Sequence, residues 1–168
     1  IIVFLFPKLG ALWWSTRSRH TRDEMSQRDW VLEHIRKYRE SNGAEGHIWK
    51  GVDGSLNLPC LLLTTTGRKS GQPRTTPLIY GKDGEDHIII ASRGGTPADP
   101  VWYGNLVENP EVELQVGAEV FSATARTISG AERSRVWDMM AEIFPSYNDY
   151  HEKAKATREI PVIVLERN

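Results

Sequence analysis

The chain has 168 residues, of which 39% are hydrophobic and 26% charged, a composition that excludes a disordered or fibrous chain and suits one globular domain. Its 21 Lys and Arg residues balance 22 Asp and Glu residues, so a globally basic nucleic-acid binder is excluded while a local anion site is not. The single cysteine, Cys60, cannot form an internal disulfide, which favours a reducing, cytoplasmic location.

The first 24 residues differ in composition from the rest of the chain. They open with the apolar run IIVFLFPKLGALWW, which is too short to span a bilayer and is interrupted by Pro7 and Lys8. The run predicts the end of a longer anchor or signal, a segment lying on a membrane surface, or upstream translation before a natural start at Met25. We divide the remainder into an N-terminal helix and loop, 25–55, and a main domain, 56–168.

Residues 27–41 predict a helix, because Val31, Ile35 and Tyr38 share one face. Ser26 is a candidate N-cap, and Asn42-Gly43 is a typical stop signal. The glycine-rich stretch that follows, up to residue 55, predicts a loop with at most one short turn.

Six strands are predicted in the main domain, mostly as antiparallel hairpins. The strands 58–66, 74–81 and 87–92 are joined by the turn GRKSGQP and the hairpin signal KDGED. The strands 111–116 and 119–128 pair across Gly117-Ala118, and 160–166 forms a last buried strand. Hairpins outnumber crossovers, so the pattern predicts a mainly β protein of the α+β class and excludes a doubly wound fold.

Three further helices are predicted between these strands. Each begins with a pattern typical of helix N-termini: Asp99-Pro100 for a helix to about Val107, Ser129 with Glu132 for a helix ended by Pro145, and Ser146 with Asp149 for a helix to about Arg158.

Several enzyme motifs are absent from the sequence. It has no GxGxxG, Walker A, HExxH, CxxC or GxSxG pattern, and its five histidines are scattered, so no metal site is predicted. Cys60 lies in an apolar strand and is predicted to be a core residue rather than a nucleophile.

A basic stretch without any acidic residue runs from Gly54 to Lys82. Its cations Arg68, Lys69 and Arg74 surround a turn in which glycines let the backbone N–H groups curl towards one point. With nearby hydroxyls, these groups suit a phosphate or a cluster of carboxylates. A solvated hairpin tip is the alternative interpretation.

Two aromatic motifs follow. The segment 91–95, ASRGG, meets a helix N-terminus, and Trp102, Tyr103 and Asn105 on that helix could stack on or hydrogen-bond a planar ring. Tyr147 and Tyr150, three residues apart, lie on one side of the last helix and could cover a flat substrate. The alternatives are an ordinary loop and aromatic packing in the core.

Together, LTTTGRKSGQPRTTPL, ASRGG with DPVWYGNL, and FPSYNDYHEKAKATREIPVIVLER resemble the deazaflavin-dependent nitroreductase family over about residues 56–167. The resemblance implies a six-stranded, mostly antiparallel split β-barrel of the FMN-binding type with flanking helices. The implied cofactor is coenzyme F-420, an 8-hydroxy-5-deazaflavin with a phosphodiester and an oligoglutamate tail.

The resemblance also implies roles for individual residues. Those implied to bind the phosphate and tail are Arg68, Lys69, Ser70, Gly71, Gln72, Pro73 and Arg74. Those implied to line or hold the deazaflavin are Ala91, Ser92, Arg93, Gly94, Trp102, Tyr103, Asn105 and Tyr147. The implied catalytic residues are Ser92, Tyr147 and Tyr150.

The implied reaction is hydride transfer from the reduced deazaflavin to a quinone, an activated enone or a nitroaromatic, with a Ser92 or Tyr147 hydroxyl bonding the developing oxyanion. Members that reduce nitroimidazoles tend to carry tyrosine at each of three positions, and the first of these positions is Phe144 in this chain. We therefore expect the protein to use quinones and to reduce nitroimidazoles poorly.

An FMN-dependent flavin reductase and a non-catalytic binder on the same barrel are the alternatives. The expected partner is a small-molecule acceptor, not nucleic acid; homodimerisation and contact with the cytoplasmic face of a membrane stay open.

Overall fold

A computed structural model describes residues 27–51 and 53–168. Within those residues the chain forms four α-helices and seven strands, besides a short 3-10 helix at Arg93–Gly95. In chain order they are α1 (Gln27–Glu40), β1 (Ile48–Trp49), β2 (Leu58–Thr66), β3 (Pro73–Asp83), β4 (Asp86–Ile90), α2 (Val101–Glu108), β5 (Glu111–Val116), β6 (Glu119–Ile128), α3 (Gly130–Ile143), α4 (Ser146–Ala154) and β7 (Val162–Arg167).

Six of the strands close into an antiparallel barrel. Their order is β2-β3-β4-β7-β6-β5, and β5 pairs back with β2, where Leu63 lies opposite Leu114. The predicted α+β, mainly β barrel of six strands is therefore confirmed. The two-residue strand β1 pairs with β2 outside this circle, with Ile48 opposite Pro59. It falls in the predicted loop, because two residues are too few to show a strand periodicity.

The barrel strands are apolar on both faces where helices cover the outside. Leu63, Ile89 and Leu165 are fully buried inside the barrel. On the outer face, Ile88 and Val162 pack with residues of α3 and α4. Burying a large aliphatic side chain contributes roughly 1.5–3 kcal/mol, so this double burial explains the continuous apolar runs from which the strands were predicted.

Helix α1 is fastened to the barrel through Tyr38. The buried Tyr38 hydroxyl donates to the Cys60 carbonyl at 2.9 Å and accepts the Gly117 N–H at 2.8 Å. The helix ends as predicted at Asn42 and Gly43, whose φ angles are +51° and +82°. A Cβ at Gly43 would lie 2.4 Å from the Gly117 Cα, so only glycine permits this approach of two backbones. The predicted N-cap, Ser26, lies outside the described residues.

Of the predicted N-caps of the later helices, only Ser129 occupies the N-cap position, and it does so without its predicted capping bond. Helix α2 has Pro100 as its N-cap, because the Asp99 carboxylate pairs with Arg158 instead. Ser129 does precede α3, but its side chain makes no capping hydrogen bond, and Glu132 pairs with Arg126.

Two predicted element ends also differ. Helix α4 follows Pro145 without a side-chain cap and ends at Ala154 rather than near Arg158. Strand β4 ends at Ile90, so Ala91 and Ser92 belong to the following loop. Among the described residues, no helix has the length and apolar character needed to cross a membrane.

Candidate functional site

The basic turn and helix α2 enclose an open depression of about 460 Å³, which we call the cationic basin. Its lining holds three cations and no acidic residue. The lining residues are Gly67, Arg68, Lys69, Ser70, Arg74, Thr75, Thr76, Val101, Trp102 and Asn105. Within the described part of the chain, no ion pair neutralises any of the three cations. The predicted gathering of these cations at one surface is therefore present.

The backbone N–H groups of the basic turn are bonded within the turn, which differs from the prediction. The N–H groups of Gly67, Ser70 and Gly71 bond to carbonyls of the turn itself, at 2.9, 3.1 and 2.7 Å. The Gln72 N–H bonds to the Ser70 hydroxyl at 3.3 Å. The expectation that these N–H groups converge on an anion is wrong, because closing the tight turn already uses them. The attraction for an anion comes from the side chains.

Helix α2 sets the position of Arg68. The Arg68 N–H donates to the Asn105 side-chain oxygen at 3.1 Å, and the Asn105 amide donates to the Thr65 hydroxyl at 3.1 Å. The Arg68 guanidinium lies over Gly104, where a Cβ would come within 2.8 Å of its Nη1 atom. Asn105 is only 3% exposed, and its two hydrogen bonds fix the backbone of Arg68 at the edge of the basin.

A second, narrow cavity lies between the 91–95 loop, α2 and α4, and we call it the aromatic pocket. Its polar and aromatic walls are Ser92, Arg93, Trp102, Phe144, Tyr147 and Tyr150. Its volume is about 30 Å³, close to one water molecule, so a planar ring requires the aromatic side chains to move apart. The second and third sequence motifs thus meet in one cavity.

Trp102 belongs to both cavities. It is 4% exposed, and its indole Nε1–H has no hydrogen-bond partner among the described residues. A buried donor without an acceptor costs about 1–3 kcal/mol, so a ligand oxygen at this point would be favoured. Trp102 therefore connects a cationic surface to an aromatic cavity.

The two tyrosines of the aromatic pocket keep their protons. Burial raises the pKa of the Tyr147 and Tyr150 hydroxyls. Neither hydroxyl makes a hydrogen bond within residues 27–51 and 53–168. Phe144 packs edge-on against both rings, at centroid distances of 5.2 and 6.1 Å. The pocket thus offers two neutral phenols that can donate or accept.

The loop at 91–99 has an unusual backbone. Arg93, Gly94 and Gly95 have φ angles of +45°, +65° and +74°. A Cβ at Gly95 would lie 2.6 Å from the Tyr150 carbonyl oxygen, so the loop rests directly on α4. On its other side, Arg158 donates to the carbonyls of this loop, including that of Ser92 at 2.7 Å. The sequence interpretation missed Arg158, since an arginine near a helix end carries no signal of such a contact.

Some predicted site residues line neither cavity. These are Gly71, Gln72, Pro73, Ala91 and Tyr103. Ala91 is fully buried in the barrel core, and the Tyr103 hydroxyl lies 3.3 Å from that of Thr127. Cys60 is also fully buried, and burial raises the pKa of its thiol to about 12, as suits the predicted core residue.

Comparison with known proteins agrees with this architecture. Residues 30–167 match the family described as F420H(2)-dependent quinone reductase. A protein of that name from Mycobacterium tuberculosis is 42% identical over 133 residues, which cover 77% of this chain and 85% of the relative.

Two solved structures are also similar. One, described as an F420-H2 dependent reductase, is 40% identical, with a TM-score of 0.59 over 64% of this chain and 94% of that one. The other, described as a domain-swapped dimer, is 36% identical, with a TM-score of 0.61 over 84% of this chain and all of that one.

These findings confirm the resemblance to deazaflavin-dependent enzymes and the split-barrel fold, and they give no support to FMN as the alternative cofactor. The match extends through most of α1 as well as the barrel. The chain is a coenzyme F-420-dependent oxidoreductase that belongs to the F420H(2)-dependent quinone reductase family.

Proposed function

We propose that this protein reduces quinones, and activated enones of similar shape, at the expense of reduced coenzyme F-420. The observation that carries the proposal is the position of Trp102, which joins an acid-free cationic basin to an aromatic pocket with two unbonded phenols. A ligand with a polyanionic tail and a flat head matches this arrangement, with the tail in the cationic basin and the head in the aromatic pocket.

The residues present fit coenzyme F-420. Its phosphodiester and glutamate carboxylates are anions, and Arg68, Lys69 and Arg74 meet them without a competing acid in the basin lining. All three side chains are exposed, so this attraction will be screened by salt. The unpartnered Trp102 Nε1–H supplies a donor where the tail side meets the ring side.

Most of the predicted contacts then have a place in the proposal, the exceptions being Ala91 and Tyr103, which line neither cavity. Arg68, Lys69 and Arg74, with Ser70, hold the phosphate and the start of the tail. The loop 92–94 and Trp102 hold the deazaflavin, and Tyr147 and Tyr150 line the same pocket. Gly71, Gln72 and Pro73 shape the turn, while Asn105 and Gly104 position Arg68.

When bound in its reduced form, the cofactor supplies a hydride to the acceptor. Reduction of a quinone to a quinol also needs a proton at a quinone oxygen. The Ser92, Tyr147 and Tyr150 hydroxyls are the groups of the pocket that can donate a hydrogen bond to that oxygen as negative charge develops. Because burial raises the pKa of both tyrosines, they stay protonated donors at neutral pH, and the proton itself comes from water.

The aromatic walls orient the acceptor. Phe144, Tyr147 and Trp102 present apolar ring faces and edges, which favour a flat apolar acceptor. Phe144 contributes no hydroxyl. A nitro group in this pocket therefore finds one hydrogen-bond donor fewer than it would with a tyrosine at position 144. We therefore propose that nitroimidazoles are poor substrates.

Anaerobic turnover tests the proposal. Reduced coenzyme F-420 with menadione should give quinol with recovery of the oxidised deazaflavin spectrum, whereas reduced FMN at the same concentration should react no faster than it does without the protein. Trp102→Phe should lower kcat/KM at least tenfold, and Trp30→Phe on α1 should not change it. Tight binding of the deazaflavin without turnover of any quinone or enone would favour a non-catalytic binder.

Two further parts of the proposal concern assembly and location. The likeness to a domain-swapped dimer supports a homodimer in solution, which light scattering would detect. A cytoplasmic location and contact with a membrane rest on the reduced Cys60 and on the apolar run within 1–24. Co-sedimentation with vesicles, with and without residues 1–24, tests the membrane contact.

A further inference from the structure

Arg158 is a buried cation that binds a loop of this chain. Its side chain is 9% exposed and pairs with the Asp99 carboxylate at 2.8 Å. Its guanidinium also donates to the Ser92 carbonyl at 2.7 Å and to the Thr96 carbonyl at 2.9 Å. Both terminal nitrogens lie 3.3 Å from the Ala91 carbonyl. One side chain thus holds both ends of the loop that forms a wall of the aromatic pocket.

That loop needs an external restraint. Three consecutive residues, Arg93, Gly94 and Gly95, have left-handed φ angles, which a non-glycine residue such as Arg93 seldom adopts. The carbonyls of Ala91, Ser92 and Thr96 converge on one point, where they would repel each other without a cation. The planar guanidinium carries five donors in a fixed fork and can satisfy all of them together, whereas a lysine ammonium cannot match that geometry.

Fixing these carbonyls also fixes the direction of the next N–H groups. In a trans peptide the N–H points opposite to the C=O of the same unit. The N–H groups of Ser92 and Arg93 therefore point away from Arg158, and neither has a backbone partner among the described residues. Ser92, Arg93 and Gly94 line the aromatic pocket, so these two donors belong to residues of the wall that a planar ligand meets.

We infer that Arg158 is a positioning residue that presents the Ser92 and Arg93 N–H groups to a ring oxygen of the planar ligand. The inference deepens the proposed function and rests on it for the identity of the ligand. Arg158 itself touches neither cavity. Its effect passes through the loop backbone, so it should govern binding of the flat head and leave the cationic basin unchanged.

The first test needs no ligand. Hydrogen exchange of the full-length Arg158→Lys protein should show at least tenfold faster exchange in peptides covering 91–99, with the strands β2 and β7 exchanging as in the wild type. Arg133→Lys is the matched control, because Arg133 is 13% exposed and donates to the Ile160 carbonyl without touching the loop. Its loop peptides should exchange at the wild-type rate.

The second test separates the head from the tail. Arg158→Lys should raise the Kd of the deazaflavin head without phosphate or tail at least tenfold, while the Kd of pyrophosphate for the basin stays within twofold. A merely destabilised protein would lose both. In Arg158→Ala, millimolar guanidinium should restore head binding, whereas it should have no effect on Arg133→Ala.

The outcomes are distinct. Wild-type exchange in the loop of Arg158→Lys, or wild-type affinity of that variant for the head, would overturn the inference. If Arg158→Ala does not fold, Arg158→Lys decides the matter. If the wild-type protein binds neither the head nor coenzyme F-420, the proposed function fails, and wild-type loop exchange in Arg158→Lys would then still overturn the restraint by Arg158.

Discussion

The Asn105 side-chain oxygen accepts the backbone N–H of Arg68 at 3.1 Å, and this bond joins helix α2 to the basic turn. The same amide donates to the Thr65 hydroxyl, so both ends of one buried side chain are used to hold the turn. Trp102, one helical turn earlier, lines the aromatic pocket. Helix α2 therefore sets the distance between the cationic basin and the aromatic pocket.

Replacing Asn105 by leucine tests this role. Asn105→Leu keeps the volume but leaves the Arg68 N–H without its partner, which should lower the free energy of unfolding by about 1–3 kcal/mol. It should also weaken coenzyme F-420 binding more than binding of the head without phosphate and tail. Val107→Ala, on the exposed side of the same helix, is the control. Equal losses for both ligands would show that Asn105 does not act through the turn.

Charge reversal in the basin should remove most of the affinity for the tailed cofactor. Lys69→Glu places an acid among the basin cations and turns attraction into repulsion, which should raise the Kd at low salt by a factor of 100 or so, about 2.7 kcal/mol. Lys82→Glu makes the same change of charge in the same acid-free stretch but outside the basin lining. Fluorescence titration at two salt concentrations measures both. Unchanged affinity in Lys69→Glu would show that the basin is not the anion site.

The barrel was predictable from sequence because each strand has a strong local pattern. The apolar and β-branched run 58–66 predicts β2, and alternation on either side of Gly117-Ala118 predicts β5 and β6, each with the bounds that the structure shows. Helix ends were harder. Asp99 and Glu132 both have capping residue types, yet each forms an ion pair with an arginine, Arg158 or Arg126. Such long-range competition has no local sequence signal.

In the candidate site, too, features that lie within one short segment could be predicted from the sequence, whereas contacts between distant segments could not. The cations of the basic turn were visible in the sequence, since they cluster within seven residues. The sharing of Trp102 by two cavities depends on how α2 packs on the barrel. The use of the turn's N–H groups within the turn depends on its closed geometry, which residue types alone do not determine.

Alkaline pH should destabilise the protein through its buried phenols. Burial raises the pKa of Tyr147 above the ordinary value near 10, so the folded state holds this proton more tightly than the unfolded state does. The resulting stabilisation is fully present below about pH 10 and is lost as pH rises through the folded-state pKa. Burial also raises the pKa of Tyr38 to about 12.

Chemical denaturation between pH 8 and pH 11 checks this sign. The free energy of unfolding should be insensitive to Tyr147 ionisation up to about pH 9 and should fall above about pH 10. Tyr147→Phe should show a shallower fall than the wild type. A steeper fall in Tyr147→Phe would contradict the assignment.

Phe144 should decide between quinones and nitroimidazoles. Its ring lies edge-on to Tyr147 and Tyr150 in the aromatic pocket, so Phe144→Tyr adds one hydroxyl to a wall that already holds two. One more donor near a developing nitronate should raise kcat/KM for a nitroimidazole about tenfold, or ~1.4 kcal/mol of barrier. Menadione, for which Ser92 and the tyrosines are the proposed donors, should change less than threefold. Phe121→Tyr, outside both cavities, controls for the added hydroxyl. If wild-type Phe144 enzyme already turns over the nitroimidazole as fast as menadione, the missing hydroxyl does not set acceptor choice.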